Sequence, residues 1–169
     1  MDDLDDMDHR IVTALRACGT DPRVAGAARA LSWAGEHGAL WLAGGLAAAA
    51  ADPPRRAAWL RGTALTAGAH VVSMGVKRVV RRPRPAHVVP LVRTAGRHSF
   101  PSSHATSSAA AAVVFGALGV RAAWPLAAAV CASRLVAGVH YPSDVAAGAA
   151  LGALTARLGA HWMRGGTRG

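Results

Sequence analysis

Apolar positions recur along the chain at helical spacing and in long runs, and strand-like alternation is nearly absent. Two amphipathic pieces come first: Ile11, Val12 and Leu15 interleaved with Arg10 and Arg16, then Val24, Ala28 and Leu31 interleaved with Arg23 and Arg29. Gly19-Thr20-Asp21-Pro22 separates them, and Pro22 suits the first turn of the second helix. Five apolar runs follow, over 38–51, 57–76, 105–120, 122–139 and 145–163. They are separated by Asp52-Pro53-Pro54-Arg55-Arg56, by a long basic segment 77–104, by Arg121, and by Tyr141-Pro142-Ser143-Asp144. The pattern predicts an all-α fold, a multi-helix transmembrane bundle in one domain over 1–169. Residues 1–33 form its acidic and amphipathic N-terminal region and residues 34–163 its helical core.

The membrane expectation is cumulative, because a bilayer core takes ~20 apolar residues in a helix and some of these runs are shorter. Its support is the succession of five such runs, the absence of any charge over 105–120, and arginines placed mostly near run ends, with Arg157 close enough to an end to snorkel. Gly148 and Gly152 stand at a spacing that lets helix backbones approach closely. The expected localisation is therefore the cell membrane, multi-pass, with the lipid bilayer as a partner. The amphipathic N-terminal pieces fit either a membrane surface or packing across a bundle.

Composition narrows the chemistry. A net charge of +10 and a sequence pI near 11.6 suit nucleic acid, an anionic surface or a phosphorylated substrate. One tyrosine and two phenylalanines leave little to stack on bases, which weighs against a nucleic-acid partner. Cys18 and Cys131 have no metal-ligand spacing and indicate neither a disulfide framework nor a redox motif. The start, Met1-Asp2-Asp3-Leu4-Asp5-Asp6, is acidic where an export signal is basic. Two imbalances matter more: from Pro53 onward Asp144 is the only side-chain carboxylate, and among nineteen basic residues only Lys77 is a lysine.

Asp144 follows His140 by four positions, just past Pro142, so it can reach back from a first helical turn to fix the imidazole tautomer. Taken alone, His140 and Asp144 also read as a helix cap. Arg134 adds a permanent cation at the end of the preceding run. In Lys77-Arg78-Val79-Val80-Arg81-Arg82-Pro83-Arg84-Pro85 the prolines hold Arg84 on a stiff, extended backbone. Arg78, Arg81 and Arg82 read as a basic surface patch. Ser102 or Ser103, in Pro101-Ser102-Ser103-His104, can cap the helix over 105–120, whose exposed N–H groups then form an anion site with His104 at its mouth. Alternating helix direction brings Lys77, Arg84, Ser102, Ser103, His104, Arg134, His140 and Asp144 to one face. Gly35-Glu36-His37, just before the first apolar run, reads first as a solvated loop, with a place near the site as the alternative. No carboxylate cluster for a two-metal site exists after Pro53, so no metal and no cofactor is expected.

These three segments, Lys77 with Arg84-Pro85, Pro101-Ser102-Ser103-His104, and Ser133-Arg134 with His140 and Asp144, resemble in order and spacing the tripartite signature of the type 2 phosphatidic acid phosphatase superfamily. Ser103 stands where that family usually has glycine. The resemblance implies metal-independent hydrolysis of a lipid phosphate monoester or diphosphate through a phosphohistidine, with a polyprenyl-phosphate or polyprenyl-phosphosugar as a candidate substrate. It makes His140 the nucleophile, Asp144 its orienting acid, and His104 the general acid and base. Lys77, Arg84, Ser102, Ser103 and Arg134 become the phosphate-binding set. Spacing alone would let the two histidines exchange roles. Vanadate-dependent halide oxidation is an alternative within the same superfamily, and nucleic-acid binding an alternative outside it.

Overall fold

The computed structural model describes residues 2–94 and 96–164. The chain forms α1 (Asp2–Cys18), α2 (Pro22–Ala34), α3 (Ala39–Ala51), α4 (Arg56–Val80), α5 (Ser103–Ala117), α6 (Ala123–Val136), α7 (Pro142–Leu158) and α8 (Ala160–Arg164), with short 3₁₀ turns before α3 and α4. Asp21 caps α2, its carboxylate accepting from the N–H groups of Arg23 and Val24, with Pro22 at the first helical position. The expected all-α architecture is present.

α5 lies at the centre, packed by α4, α6 and α7. It is buried almost all round, which is why its alanines alternate with Thr106, Ser107 and Ser108 rather than with charges. Those hydroxyls are satisfied: Thr106 donates to Ser102 O at 3.0 Å, Ser107 to Ser103 O at 3.0 Å, and Ser108 accepts from Trp41 Nε1 at 2.9 Å. At one end of α5 Phe115 meets the rings of Trp59 and Trp41, at 5.6 and 6.3 Å between centroids. On another side α7 comes so close that a methyl on Gly148 would sit 2.5 Å from Ser102 O, and one on Gly152 would collide with Thr106 O. Gly148 and Gly152 therefore set the α5–α7 distance, and with it the spacing of the residues at the two helix starts.

The transmembrane expectation is overturned. Among the described residues no helix is long and apolar enough to cross a membrane. α3, α5, α6 and α7 have 13, 15, 14 and 17 residues. At ~1.5 Å rise per residue even the longest of these falls short of a hydrocarbon core of ~30 Å. α4 has 25 residues, but Arg56, Arg61, Lys77 and Arg78 dilute it. The runs looked longer because sequence hides where helices stop: Gly119 at φ 93 and Gly138 at φ 69 turn the chain, and Gly159 divides the last run between α7 and α8. The multi-pass cell-membrane localisation falls with that expectation, and the structure gives no support to the bilayer as a direct partner. Apolar side chains such as Val71, Val79 and Leu158 do stand exposed on the outer faces, and they produced the misleading absence of a polar stripe.

Candidate active site

α4 ends at Arg81, whose left-handed conformation turns the chain away just after Lys77 and Arg78. The loop returns through an antiparallel bridge between Pro83 and His98 and a bond from Ser99 N–H to Arg82 O at 2.8 Å. Lys77 Nζ donates to the carbonyls of His98 and Ser99, both at 3.2 Å, so the ammonium is held against the loop that leads into α5. Burial, with Arg84 and Arg134 nearby, lowers its pKa to about 8. Arg84 Nε donates to Gly96 O at 2.9 Å and its Nη1 to Val139 O at 2.8 Å, which fixes the guanidinium between the loop and the His140 turn.

One small cavity of about 90 Å³ is lined by Lys77, Arg84, Ser103, His104, Arg134 and His140, with Glu36, His37 and His70 also on its wall. Sequence spacing had brought the first six to one face, and the structure puts them around one space. Asp144 is fully buried behind His140, its Oδ2 3.6 Å from Nδ1. The other imidazole nitrogen, Nε2, lies 3.3 Å from Arg84 Nη1 and can only accept there, so the proton belongs on Nδ1, toward Asp144. Burial, then Arg84, Arg134 and Lys77, outweigh Asp144 and lower His140 to a pKa of about 3. For Asp144 burial acts to raise the pKa, but His140, the Tyr141 N–H bond at 2.8 Å and Arg82 hold it below the ordinary carboxylate value.

His104 is buried on the second turn-forming position of α5 and donates Nε2–H to Ser32 O at 3.0 Å, at the end of α2. Its close seat requires Gly35, where a methyl would come within 2.8 Å of His104 Cδ2. Burial and Arg134 depress its pKa to about 3, so both His104 and His140 are neutral imidazoles at neutral pH. Arg134 is 2% exposed, and its Nε and Nη1 are buried without a hydrogen-bond partner. Burial and Arg84 lower its pKa only to about 10, so it stays charged. A buried cation with idle donors beside a cavity is matched to an anion.

Ser103 lines the cavity, its hydroxyl 3.7 Å from Met74 Sδ. Ser102 does not line it. Its Oγ caps Ala105 N–H at 3.4 Å, and its own N–H is spent on Asp144 O at 3.0 Å, so its geometry ties α5 to α7 rather than facing the cavity.

Sequence reasoning missed Arg82 and Asp8. Arg82 Nη1 donates to Asp144 Oδ1 at 3.1 Å and Ser143 Oγ at 2.6 Å, while Nη2 donates to Asp8 Oδ2 at 2.9 Å and Asp5 Oδ1 at 3.1 Å. Asp8, 2% exposed, also accepts from Ser143 N–H at 3.0 Å and from the Ser143 hydroxyl, so α1 caps the start of α7 from across the fold. Tyr141 sits beneath the guanidinium at 4.2 Å and meets His9 at 3.2 Å. The available signal was charge complementarity between the acidic start of the chain and the basic 77–84 stretch. Asp8→Ala is expected to destabilise the fold by ~1–3 kcal/mol in denaturant unfolding, because it leaves the Ser143 N–H at the start of α7 without its acceptor and takes one carboxylate from the Arg82 fork, which keeps Asp144 and Asp5. Asp5→Ala, at the exposed end of the same fork, should cost under ~1 kcal/mol.

Among the described residues no group of three His, Cys, Asp or Glu side chains is placed to hold a metal ion. The cations Lys77, Arg84 and Arg134 supply fixed positive charge in the cavity instead.

Known proteins resemble this chain in sequence and in fold. The family model described as PAP2 superfamily matches residues 57–168, the stretch carrying all three motif segments. A decaprenylphosphoryl-5-phosphoribose phosphatase of Mycolicibacterium smegmatis is 46% identical over 141 residues, covering 82% of this chain and 78% of that protein. Its namesake in Mycobacterium tuberculosis is 44% identical over 147 residues, covering 85% and 83%. A crystal structure described as the first transmembrane PAP2 type phosphatidylglycerolphosphate phosphatase, from Bacillus subtilis, superposes with a TM-score of 0.83 at 21% identity, over 99% of this chain and 90% of that one, a likeness of fold. The chain belongs to the PAP2 superfamily, among its lipid phosphate phosphatases.

Proposed function

We propose that the chain removes the terminal phosphate from a polyprenylphosphoryl-5-phosphoribose, with His140 as nucleophile and a phosphohistidine as intermediate. The observation that carries the phosphatase site is Arg134, buried and charged with idle donors beside two neutral imidazoles. The finer substrate assignment is supported by the curated relatives, which share more than two-fifths of their aligned residues with this chain and are named for that activity.

In this reading the phosphoryl dianion sits among Lys77, Arg84 and Arg134, with the open N–H groups at the start of α5 beneath it. Arg84 shifts its donation from His140 Nε2 to a phosphoryl oxygen, which frees the nitrogen lone pair. Nε2 attacks phosphorus in line with the ester oxygen; the N–P bond forms as the P–O bond breaks. Asp144 stabilises the positive ring through Nδ1–H. The incoming dianion raises the His104 pKa, so that His104 delivers a proton to the leaving alkoxide. Neutral again, it takes a proton from water as the water oxygen attacks phosphorus. The products are the lipid-linked alcohol, inorganic phosphate and free His140.

Phosphate release in excess chelator should be fastest from a polyprenylphosphoryl-5-phosphoribose within a panel holding polyprenyl phosphate, phosphatidate and phosphatidylglycerophosphate. Equal rates across the panel would sink the substrate assignment, and no release from any member would sink the enzyme. Lys77 adds a pH test. Its lowered pKa means that free enzyme loses a phosphate-binding charge as pH rises through about 8. The kcat/KM profile should therefore fall above about pH 8, and Lys77→Arg, which stays charged, should flatten that limb.

A further inference from the structure

Three ionisable side chains on the cavity wall take no part in the chemistry above: Glu36, His37 and His70. They line the same cavity as His104, the residue that faces the leaving oxygen in the proposed reaction. Glu36 Oε2 lies 3.8 Å from His104 Nε2. His70 stands on α4 two turns before Lys77, and its Nδ1 is buried with no hydrogen-bond partner. The His37 ring is 6.3 Å from that of His70, held by a left-handed backbone at φ 52, next to Gly38 at φ 75. A non-glycine residue in that region costs on the order of 1 kcal/mol and persists where the surroundings impose it.

Among the described residues Glu36 is the only carboxylate lining a cavity whose other charges are Lys77, Arg84 and Arg134. It fits poorly with either common neighbour of a phosphate ester. A second anionic group beside it would be repelled, and an acyl chain against it would leave the carboxylate desolvated and unpaired. Hydroxyl groups suit it, since one carboxylate accepts from two adjacent O–H groups, and the idle His70 nitrogen needs a partner of the same kind.

We infer that Glu36, His37 and His70 form a subsite for the part of the leaving group next to the bond that breaks, a neutral sugar ring with adjacent hydroxyls attached directly to the phosphate that is removed. The inference rests on the reading of this cavity as a phosphomonoester site. It adds what that site selects beyond the phosphate: the first ring of the leaving group rather than the lipid tail.

The test pairs two substrates with the same tail, farnesylphosphoryl-5-phosphoribose and farnesyl phosphate, and takes the ratio of their kcat/KM values. That ratio is independent of how much of a variant is folded. Glu36→Ala and His70→Ala should each lower it about tenfold in favour of farnesyl phosphate, the worth of one hydrogen bond lost from a charged or buried partner. An unchanged ratio in both variants, with wild-type enzyme active on both substrates, would overturn the subsite and leave the phosphatase reading standing. Wild-type enzyme that releases phosphate from neither compound would overturn both.

Discussion

His140→Ala should leave turnover at least ~10⁴-fold below wild type, with no phosphoenzyme trapped from labelled substrate. The expectation follows from which nitrogen faces the cavity. Nε2 accepts from Arg84 and Nδ1 faces Asp144, so the one lone pair available for attack is on the cavity side. The same ring is held at a pKa of about 3 by burial and three cations, so at neutral pH the lone pair is not lost to a proton. His104 does not present the same nitrogen, because its Nε2 is anchored to Ser32 O at the end of α2. Asp144→Asn gives the graded companion. It keeps the shape and, with its carbonyl oxygen held by the Tyr141 N–H, still faces the ring with an acceptor, but it removes the negative charge that stabilises the positive ring and sets its NH2 against Arg82, so it should cost less than removal of the ring. The variants are checked for folding by thermal melting, and phosphate release is measured from the preferred lipid. Folded His140→Ala retaining a tenth of wild-type turnover would remove His140 from the role of nucleophile.

How much of this was legible in the sequence depends on the range of the interaction. The residues around the cavity announced themselves because each motif is local: a proline-stiffened Arg84, a capped helix start at His104, a histidine one turn before Asp144. Their convergence also followed from helix order, since consecutive antiparallel helices bring alternate ends together. Helix length was not legible. Alanine continues a helix or lines its end with equal ease, and only the packing around α5 decides that Gly119, Gly138 and Gly159 are stops. Ser102 and Ser103 look interchangeable in sequence, yet one N–H points to Asp144 O and one side chain reaches the cavity wall. Asp8 and Arg82 lie 74 residues apart, and a pairing over that distance leaves only a bulk charge pattern. Glu36, expected in a solvated loop, lines the cavity because Gly35 lets α2 end against His104.

His104→Ala should lower kcat on alkyl phosphates by ~10²–10⁴-fold, the usual worth of a positioned acid and base. A second substrate separates its two tasks. p-Nitrophenyl phosphate expels a stable phenolate that needs no proton, so the first step should survive the loss of His104, while hydrolysis of the phosphohistidine still lacks its base. The variant should then show a burst of nitrophenolate, close to one per folded enzyme, followed by a slow steady rate, with phosphohistidine accumulating. Wild-type enzyme, with both steps assisted, should show a smaller burst. The geometry favours this division. His104 sits at the α5 start, and in the proposed mechanism the N–H groups there and nearby Arg134 bind the phosphoryl group independently of the ring, so binding and attack by His140 remain possible. Equal losses on both substrates with no burst would mean that His104 supports the phosphate cradle rather than moving protons, and the acid and base would have to be sought among Glu36, His37 and His70 on the same wall.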